Sequence, residues 1–309
     1  MSDQPILHHF EASPFSEKIR LIFGFKRIAW QSVLIPRILP KPDLMPLTGG
    51  YRRTPVMQIG ADVYCDTQMI IRALEQRYPT PTLFPEGHAG MPWMASMWTD
   101  KLFFQNTVNL VFGTLGDKVP QDFIEDRSKL RGAPFDVKAM AAGLPQHRDQ
   151  FRANAALIEA QLARANSSER WLLEELSLAD LSAYMNIWYV RTNLDNADEL
   201  LAGFPHLGDW ERSIRAVGHG KRSDISAQQA LAIAAAAAPM ATQAGQALDA
   251  EGRAVGDKVT VAADDYGKTE VAGEIVSLSL QHVAIRRHDP RLGEVVVHFP
   301  RAGYAIRRQ

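Results

Sequence analysis

The sequence predicts a multidomain chain: an N-terminal α/β unit, an all-helical unit, and a small antiparallel all-β unit at the C-terminal end. Three observations carry this. Residues 5–79 alternate strand-like and helix-like runs, the stretch beyond Gly87 has the texture of helices, and after Gly252 short β-branched runs recur between turn residues. At 309 residues the chain is also too long for one comfortable core, so several folded units are expected. The boundaries fall at 1–85, 86–220, 221–250 and 251–309, the third span being an alanine-rich helical connector.

Ile6-Leu7 opens the first unit as an apolar strand, Pro14 to about Phe25 reads as a helix, and Trp30 to Ile35 reads as a second strand, a βαβ beginning. Pro36, Pro40, Pro42 and Pro46 then forbid a regular helix or central strand, because proline fixes φ and lacks a donor. Val56–Ile59 and Val63–Cys65 flank Gly60-Ala61-Asp62 as a hairpin, followed by a helix carrying Met69, Ile70, Ala73 and Leu74.

The helical unit begins with Trp93, Met97, Trp98, Leu102, Phe103 and Leu110. A polar interval with Pro120, Gly132, Pro134 and Pro145 separates it from a helix through Phe151, Leu157 and Leu162. Two more helices are expected in Leu178–Val190 and Leu207–Val217, the first capped by Ser177 with Asp180. Ser226 opens an alanine-rich helix that ends at Pro239. Beyond it, strands at Val259–Val261, Ile275–Leu280, Val283–Ile285, Val295–Val297 and Tyr304–Ile306 predict a closed or half-closed barrel. The connector isolates this barrel, so it is expected to be dispensable for the rest of the fold.

Hydrophobic residues at 46% and charged residues at 22% are globular values, and a net charge of −1 gives no support for nucleic acid or an anionic membrane as main partner. Gln4, Pro5, His8 and His9 interrupt the N-terminus before any secretory h-region, so a cytoplasmic location is expected. The single cysteine, Cys65, excludes an intrachain disulfide. His8 and His9 are strand neighbours and point to opposite faces, so no metal site is expected there.

Three short motifs carry candidate chemistry. Ser13-Pro14 stands where strand meets helix, with Ser13 as N-cap and Pro14 as first helical residue; such a helix end favours an anion, so a thiol held beside it loses its proton more easily. Thr54-Pro55 precedes a strand, where the backbone of Thr54 can pair with a peptide-like ligand. Asp66-Thr67 opens a helix: the hydroxyl and amides suit a carboxylate, and Asp66 suits an ammonium group. Arg53 can reach a ligand carboxylate. Trp98, Phe103 and Phe104 can wall an apolar pocket or belong to the core. Taken singly, each motif is as readily a structural cap or strand start.

Together, Ser13-Pro14-Phe15-Ser16, Thr54-Pro55-Val56 and Asp66-Thr67 resemble the serine-type and omega-like glutathione transferases. Leu74-Glu75-Gln76-Arg77-Tyr78-Pro79, Ser177-Leu178-Ala179-Asp180 and Phe204-Pro205-His206-Leu207 resemble further landmarks of that family, so the likeness spans about residues 5–217. It implies a thioredoxin-like domain followed by an all-helical domain, with glutathione as cosubstrate, a small electrophile as second substrate, and a homodimer. Ser13 then matches the residue that hydrogen-bonds the glutathione sulfur, Thr54 with Pro55 the backbone that pairs with the cysteinyl part, and Asp66 with Thr67 the pair that holds the γ-glutamyl end. The family often places an acidic residue of the helix that opens the helical unit near the ligand's ammonium across the dimer, a position for which Asp100 is a candidate. The likeness leaves two other readings open: a non-catalytic binding or assembly protein on the same scaffold, and a glutathione-dependent isomerase or lyase.

Overall fold

The computed structural model describes residues 4–164, 170–240 and 249–309. Strand β1 (Ile6–His9), helix α1 (Pro14–Phe25) and strand β2 (Ala29–Leu34) form the expected βαβ unit, with β1 and β2 parallel. The proline-rich stretch holds a four-residue helix, α2 (Met45–Thr48), where only a loop is expected. Pro46 lies in its first turn, where a missing N–H leaves nothing unpaired, and Gly49 at φ 69° ends it. Strands β3 (Val56–Ile59) and β4 (Asp62–Cys65) make the predicted hairpin, and helix α3 (Thr67–Arg77) completes the thioredoxin-like unit.

Helix α4 (Met91–Trp98) runs through a π-helical turn at Thr99–Phe103 into α5 (Phe104–Leu115). The polar interval between the first two expected helices of the helical unit contains α6 (Gln121–Arg131) and α7 (Val137–Ala142). Its breakers turn out to be boundaries: Pro120 precedes α6, Gly132 in the left-handed conformation closes it, and Asp136 caps α7 through the amide of Ala139. Helices α8 (Leu144–Ala163), α9 (Leu178–Asn193), α10 (Ala197–Leu201) and α11 (Pro205–Val217) complete the bundle.

The predicted Ser177 and Asp180 pair does more than cap α9. Ser177 N and Oγ donate to Asp180 Oδ2 at 3.0 and 2.9 Å, while Leu172 N and Trp210 Nε1 donate to Oδ1, both at 2.9 Å. One buried carboxylate thus ties the start of α9 to α11 and to the segment before it. Around it, Ile19, Phe23, Trp30, Phe151, Leu181 and Trp210 belong to one continuous core shared by the first sheet and the helices.

The C-terminal strands give the main departure from expectation. Strand β5 (Lys221–Asp224) pairs in parallel with β2, and helix α12 (Ala227–Ala235) follows, capped by Ser226 and Gln229. Residues 241–248 of the alanine-rich connector lie outside the described residues. Strands β6 (Lys258–Ala263), β7 (Val271–Leu278), β8 (His282–Asp289), β9 (Gly293–Pro300) and β10 (Tyr304–Arg308) form an antiparallel run ordered β10-β6-β7-β8-β9. A separate barrel is expected, but β9 instead pairs in parallel with β4, matching Asp62 with Val296 and Tyr64 with His298. All ten strands therefore belong to one sheet, β10-β6-β7-β8-β9-β4-β3-β1-β2-β5. The reason is edge satisfaction: β4 would otherwise bound the first sheet with unpaired backbone groups. The joint is also apolar, with Ile6, Val56, Val63 and Cys65 packing in one cluster with Val297 and Phe299. Burial there pushes the Cys65 thiol well above its ordinary pKa.

Candidate functional site

The N-terminus of α1, the Thr54–Pro55 corner and the start of α3 converge on a cleft of ≈ 450 Å³ between the first sheet and the helices. Ser13, Arg53, Thr54, Pro55, Asp66 and Thr67 all line it. Residues up to 54 positions apart in the sequence are thus brought to one wall by the βαβ and hairpin connections.

Ser13 is the N-cap of α1 and is almost fully buried, its Oγ accepting the amide of Ser16 at 3.2 Å. That bond uses a lone pair of the hydroxyl and leaves its proton free to donate into the cleft. Ser16 Oγ, one turn along, is buried with no hydrogen-bond partner among the described residues and does not line the cleft. The Thr54–Pro55 peptide is cis. Beside it lies a residue that sequence reasoning missed. Lys41, from the proline-rich loop, is 4% exposed and donates from Nζ to Arg52 O and Thr54 Oγ1, both at 3.1 Å. Burial, then the charges of Arg127 and Arg52, lower its pKa to about 8. No periodicity or cap marks Lys41 in the sequence; the fold alone carries it inward.

Asp66 holds φ 75°, a conformation costly for a residue with a Cβ, and caps α3 through the amide of Gln68 at 2.9 Å. Its other oxygen accepts Tyr304 Oη at 3.1 Å, so the last strand of the chain reaches the site. Thr67 follows as the first residue of α3 and is buried. Facing them in the same cleft is Asp100 from the π-helical turn, a local widening of the helix of the kind found at functional sites. Its Oδ2 accepts Lys18 Nζ at 2.6 Å, and Oδ1 is buried without a hydrogen-bond partner among the described residues. Burial raises the Asp100 pKa, Lys18 opposes that, and the nearby Asp66 carboxylate adds to it. Two acidic groups within electrostatic reach of each other, one with an unused oxygen, suit a cationic ligand group.

Arg53 lines the cleft but its guanidinium is occupied: it pairs with Asp265, donates to Tyr266 O and lies 4.0 Å from the Tyr266 ring. Gly267 N donates to Leu130 O at 2.7 Å, so the turn between β6 and β7 spans from Arg53 to α6. Asp264-Asp265 reads as turn punctuation in the sequence; only the joined sheet brings this turn over the site. Of the three aromatics considered for the pocket, Phe104 lines it, whereas Phe103 is fully buried and Trp98 stacks on it at 5.8 Å.

His8 and His9 are both buried and face different neighbours, as their strand positions require. His8 Nε2 is 2.9 Å from Gln58 Oε1; His9 Nε2 is 3.0 Å from Ser32 Oγ, with Arg20 Nη1 3.1 Å from its Nδ1. Among the described residues no cluster of three or more His, Cys, Asp or Glu side chains is arranged to hold a metal ion, and no helix is long and apolar enough to cross a membrane. A wider groove along β5 includes Lys26 and Arg222, already paired with Glu75 and with Glu11 and Asp224, and none of the predicted site residues.

The profile of the glutathione S-transferase N-terminal domain matches residues 7–82. No curated protein sequence matches the chain. Among solved structures, a GST-like protein from Pseudomonas syringae is 34% identical with a TM-score of 0.83, each chain covered over 100% of its length. A glutathione S-transferase from Methylobacillus flagellatus with gsh bound is 18% identical, TM-score 0.52, covering 70% of this chain and 99% of its own. One from Rhodospirillum rubrum is 19% identical, TM-score 0.52, covering 69% and 88%. The Pseudomonas likeness spans the whole chain, C-terminal strands included, whereas the other two cover about 70% of it. With sequence identity along its whole length, and with its cap serine, threonine-proline corner and acidic-hydroxyl pair gathered in one cleft, the chain belongs to the glutathione S-transferase superfamily.

Proposed function

We propose that the chain is a glutathione transferase in which Ser13 activates the thiol. The observation that supports it most is the Ser13 hydroxyl, held at the α1 N-terminus by the Ser16 amide with its own proton unspent. Glutathione lies with its sulfur at Ser13 and its backbone along Thr54 and Pro55. Its γ-glutamyl carboxylate sits at Thr67 and the first amides of α3, and its ammonium between Asp66 and Asp100. Lys41, a buried cation beside Thr54, takes the glycyl carboxylate. The thiol proton leaves to water, and Ser13 with the helix end stabilises the thiolate by a charge-assisted hydrogen bond and the dipole. The thiolate then attacks an electrophile bound toward Phe104; the new sulfur–carbon bond forms as the leaving group departs with its electron pair. No covalent enzyme intermediate is involved, so catalysis is positioning plus anion stabilisation. An isomerase or lyase would use the same thiolate.

The protein acts as a cytoplasmic homodimer in this reading, with the exposed Met91, Met94, Met97 and Leu102 along α4 and the following turn facing a second copy. A non-catalytic role keeps one supporting observation: Arg53 and one oxygen of Asp66 already have partners from the C-terminal strands. Calorimetry decides between them. Saturable glutathione binding that is lost in Asp66→Ala supports the transferase site; no heat at millimolar glutathione overturns it.

A further inference from the structure

The half of the cleft away from Asp66 combines aromatic walls with two arginines that make no direct ion pair among the described residues, Asp126 acting on Arg127 only through its charge. Phe15 packs edge-on against Phe104 at 4.7 Å, and Phe104 lies 6.3 Å from Tyr189, so an aromatic path leads from beside Ser13 into the helical unit. At its far end Arg37 and Arg127 lie 5.1 and 4.7 Å from the centre of the Phe123 ring. Arg127 donates to Arg37 O at 2.9 Å, and among the described residues neither guanidinium has a carboxylate partner. The acid beside them, Asp126, is paired with Arg52. Arg131 extends the same face, 5.7 Å from the Phe135 ring.

Glutathione brings two carboxylates and one ammonium, and the proposed pose uses Lys41 and the α3 N-terminus for the two anions. Arg37 and Arg127 are left over. Arg127 is half-buried whereas Arg37 beside it is exposed; a guanidinium drawn partly out of water without an ion-pair partner is unfavourable, and a ligand anion on Arg127 relieves that. Planar guanidinium groups match a carboxylate in two-point geometry, while aromatic walls match a flat ring. Tyr189 adds a donor: burial holds its phenol pKa up near 12, against the pull of Arg37 and Arg127, so its proton stays on.

We propose that the second substrate is an aromatic electrophile bearing a carboxylate, its ring against Phe104 and Tyr189 and its carboxylate on Arg127 and Arg37. This rests on the transferase reading for its chemistry, though not for its binding. With a chloronitrobenzoate the step is a substitution: the sulfur–carbon bond forms, the carbon–chlorine bond breaks, chloride leaves with the pair, and the thiol proton goes to water.

The test compares 4-chloro-3-nitrobenzoate with the uncharged, similarly shaped 4-chloro-3-nitrobenzamide by calorimetry on the full chain, with and without saturating S-methylglutathione. The benzoate is expected to bind about tenfold tighter or more, as a charge-assisted contact supplies. In Arg127→Met the ratio of the two affinities falls to about one, and Arg127→Lys restores part of it. Should Arg127→Met fold poorly, salt answers the same question in the native chain: from about 0.05 to 0.5 M the benzoate weakens and the benzamide does not. A benzoate preference that persists while glutathione fails to bind supports the subsite and removes only the transferase reading. Equal affinity for the two probes, or a preference that a folded Arg127→Met retains, overturns the proposal.

Discussion

Ser13 and Lys41 have opposite histories. Ser13 announces itself as a cap before a proline, and the structure adds that its Oγ accepts the Ser16 amide. A hydrogen bond to a charged group contributes about 1.5–3 kcal/mol, and one pKa unit is about 1.36 kcal/mol. Ser13→Ala is therefore expected to raise the bound-thiol pKa by roughly one to two units and to slow conjugation at neutral pH about tenfold. Ser16→Ala, buried away from the cleft, leaves that titration near its native position. Thiolate absorbance against pH in both variants checks this; a large shift confined to Ser16→Ala would move the role there. Lys41 has no comparable signature. Its pKa of about 8 means that the cation is present below that pH and lost above it. Affinity for S-methylglutathione, which has no thiol to titrate, is expected to fall about tenfold between pH 7 and 9 as the charged fraction shrinks. Lys41→Met should flatten the profile, and a native profile already flat would dissociate Lys41 from the ligand.

At the scale of elements, sequence patterns of local origin translate well. The Ser177 and Asp180 pair, the Pro14 start of α1 and the hairpin at Gly60 each depend on groups within a few residues. Helices α6 and α7 are less visible because the residues at their ends, Pro120 and Gly132 for α6, Asp136 and Gly143 for α7, also mark loops. The Asp180 carboxylate shows where a local signal becomes tertiary: a capping residue by sequence, it also accepts Trp210 Nε1 and Leu172 N. Asp180→Ala leaves four buried donor contacts unanswered, and a loss of about 3 kcal/mol or more in unfolding free energy is expected. Urea melts would show a lower midpoint at unchanged slope. A cost near that of an exposed cap, about 1 kcal/mol, would mean that the tertiary bonds contribute little.

For the whole molecule, the joined sheet argues against a dispensable C-terminal unit. Pairing of β9 with β4, Gln58 Nε2 donating to Ala230 O at 2.9 Å, and the Arg53 and Asp265 pair tie residues 221–309 to the first sheet. A truncation after Gly218 would bare the β4 edge and the apolar side chains of Val63 and Cys65. It is expected to aggregate or to melt without cooperativity, whereas a truncation that folds and melts like a two-domain transferase would restore the independent-unit view.

The sequence by itself determined the fold class of the first two units and singled out Ser13, Arg53, Thr54, Pro55, Asp66 and Thr67, six positions that line one cleft. These lie at element junctions, where cap and turn chemistry is written in adjacent residues. It also determined the C-terminal strands, through β-branched runs between turns. Only the tertiary structure decided that those strands extend the first sheet, that Tyr304 and Asp265 reach Asp66 and Arg53, and that Lys41 and Arg127 turn inward. The physical reason is range. Caps and periodicity are set by neighbours along the chain, while sheet-edge pairing and the burial of an isolated cation are set by surfaces that meet only after the chain has folded.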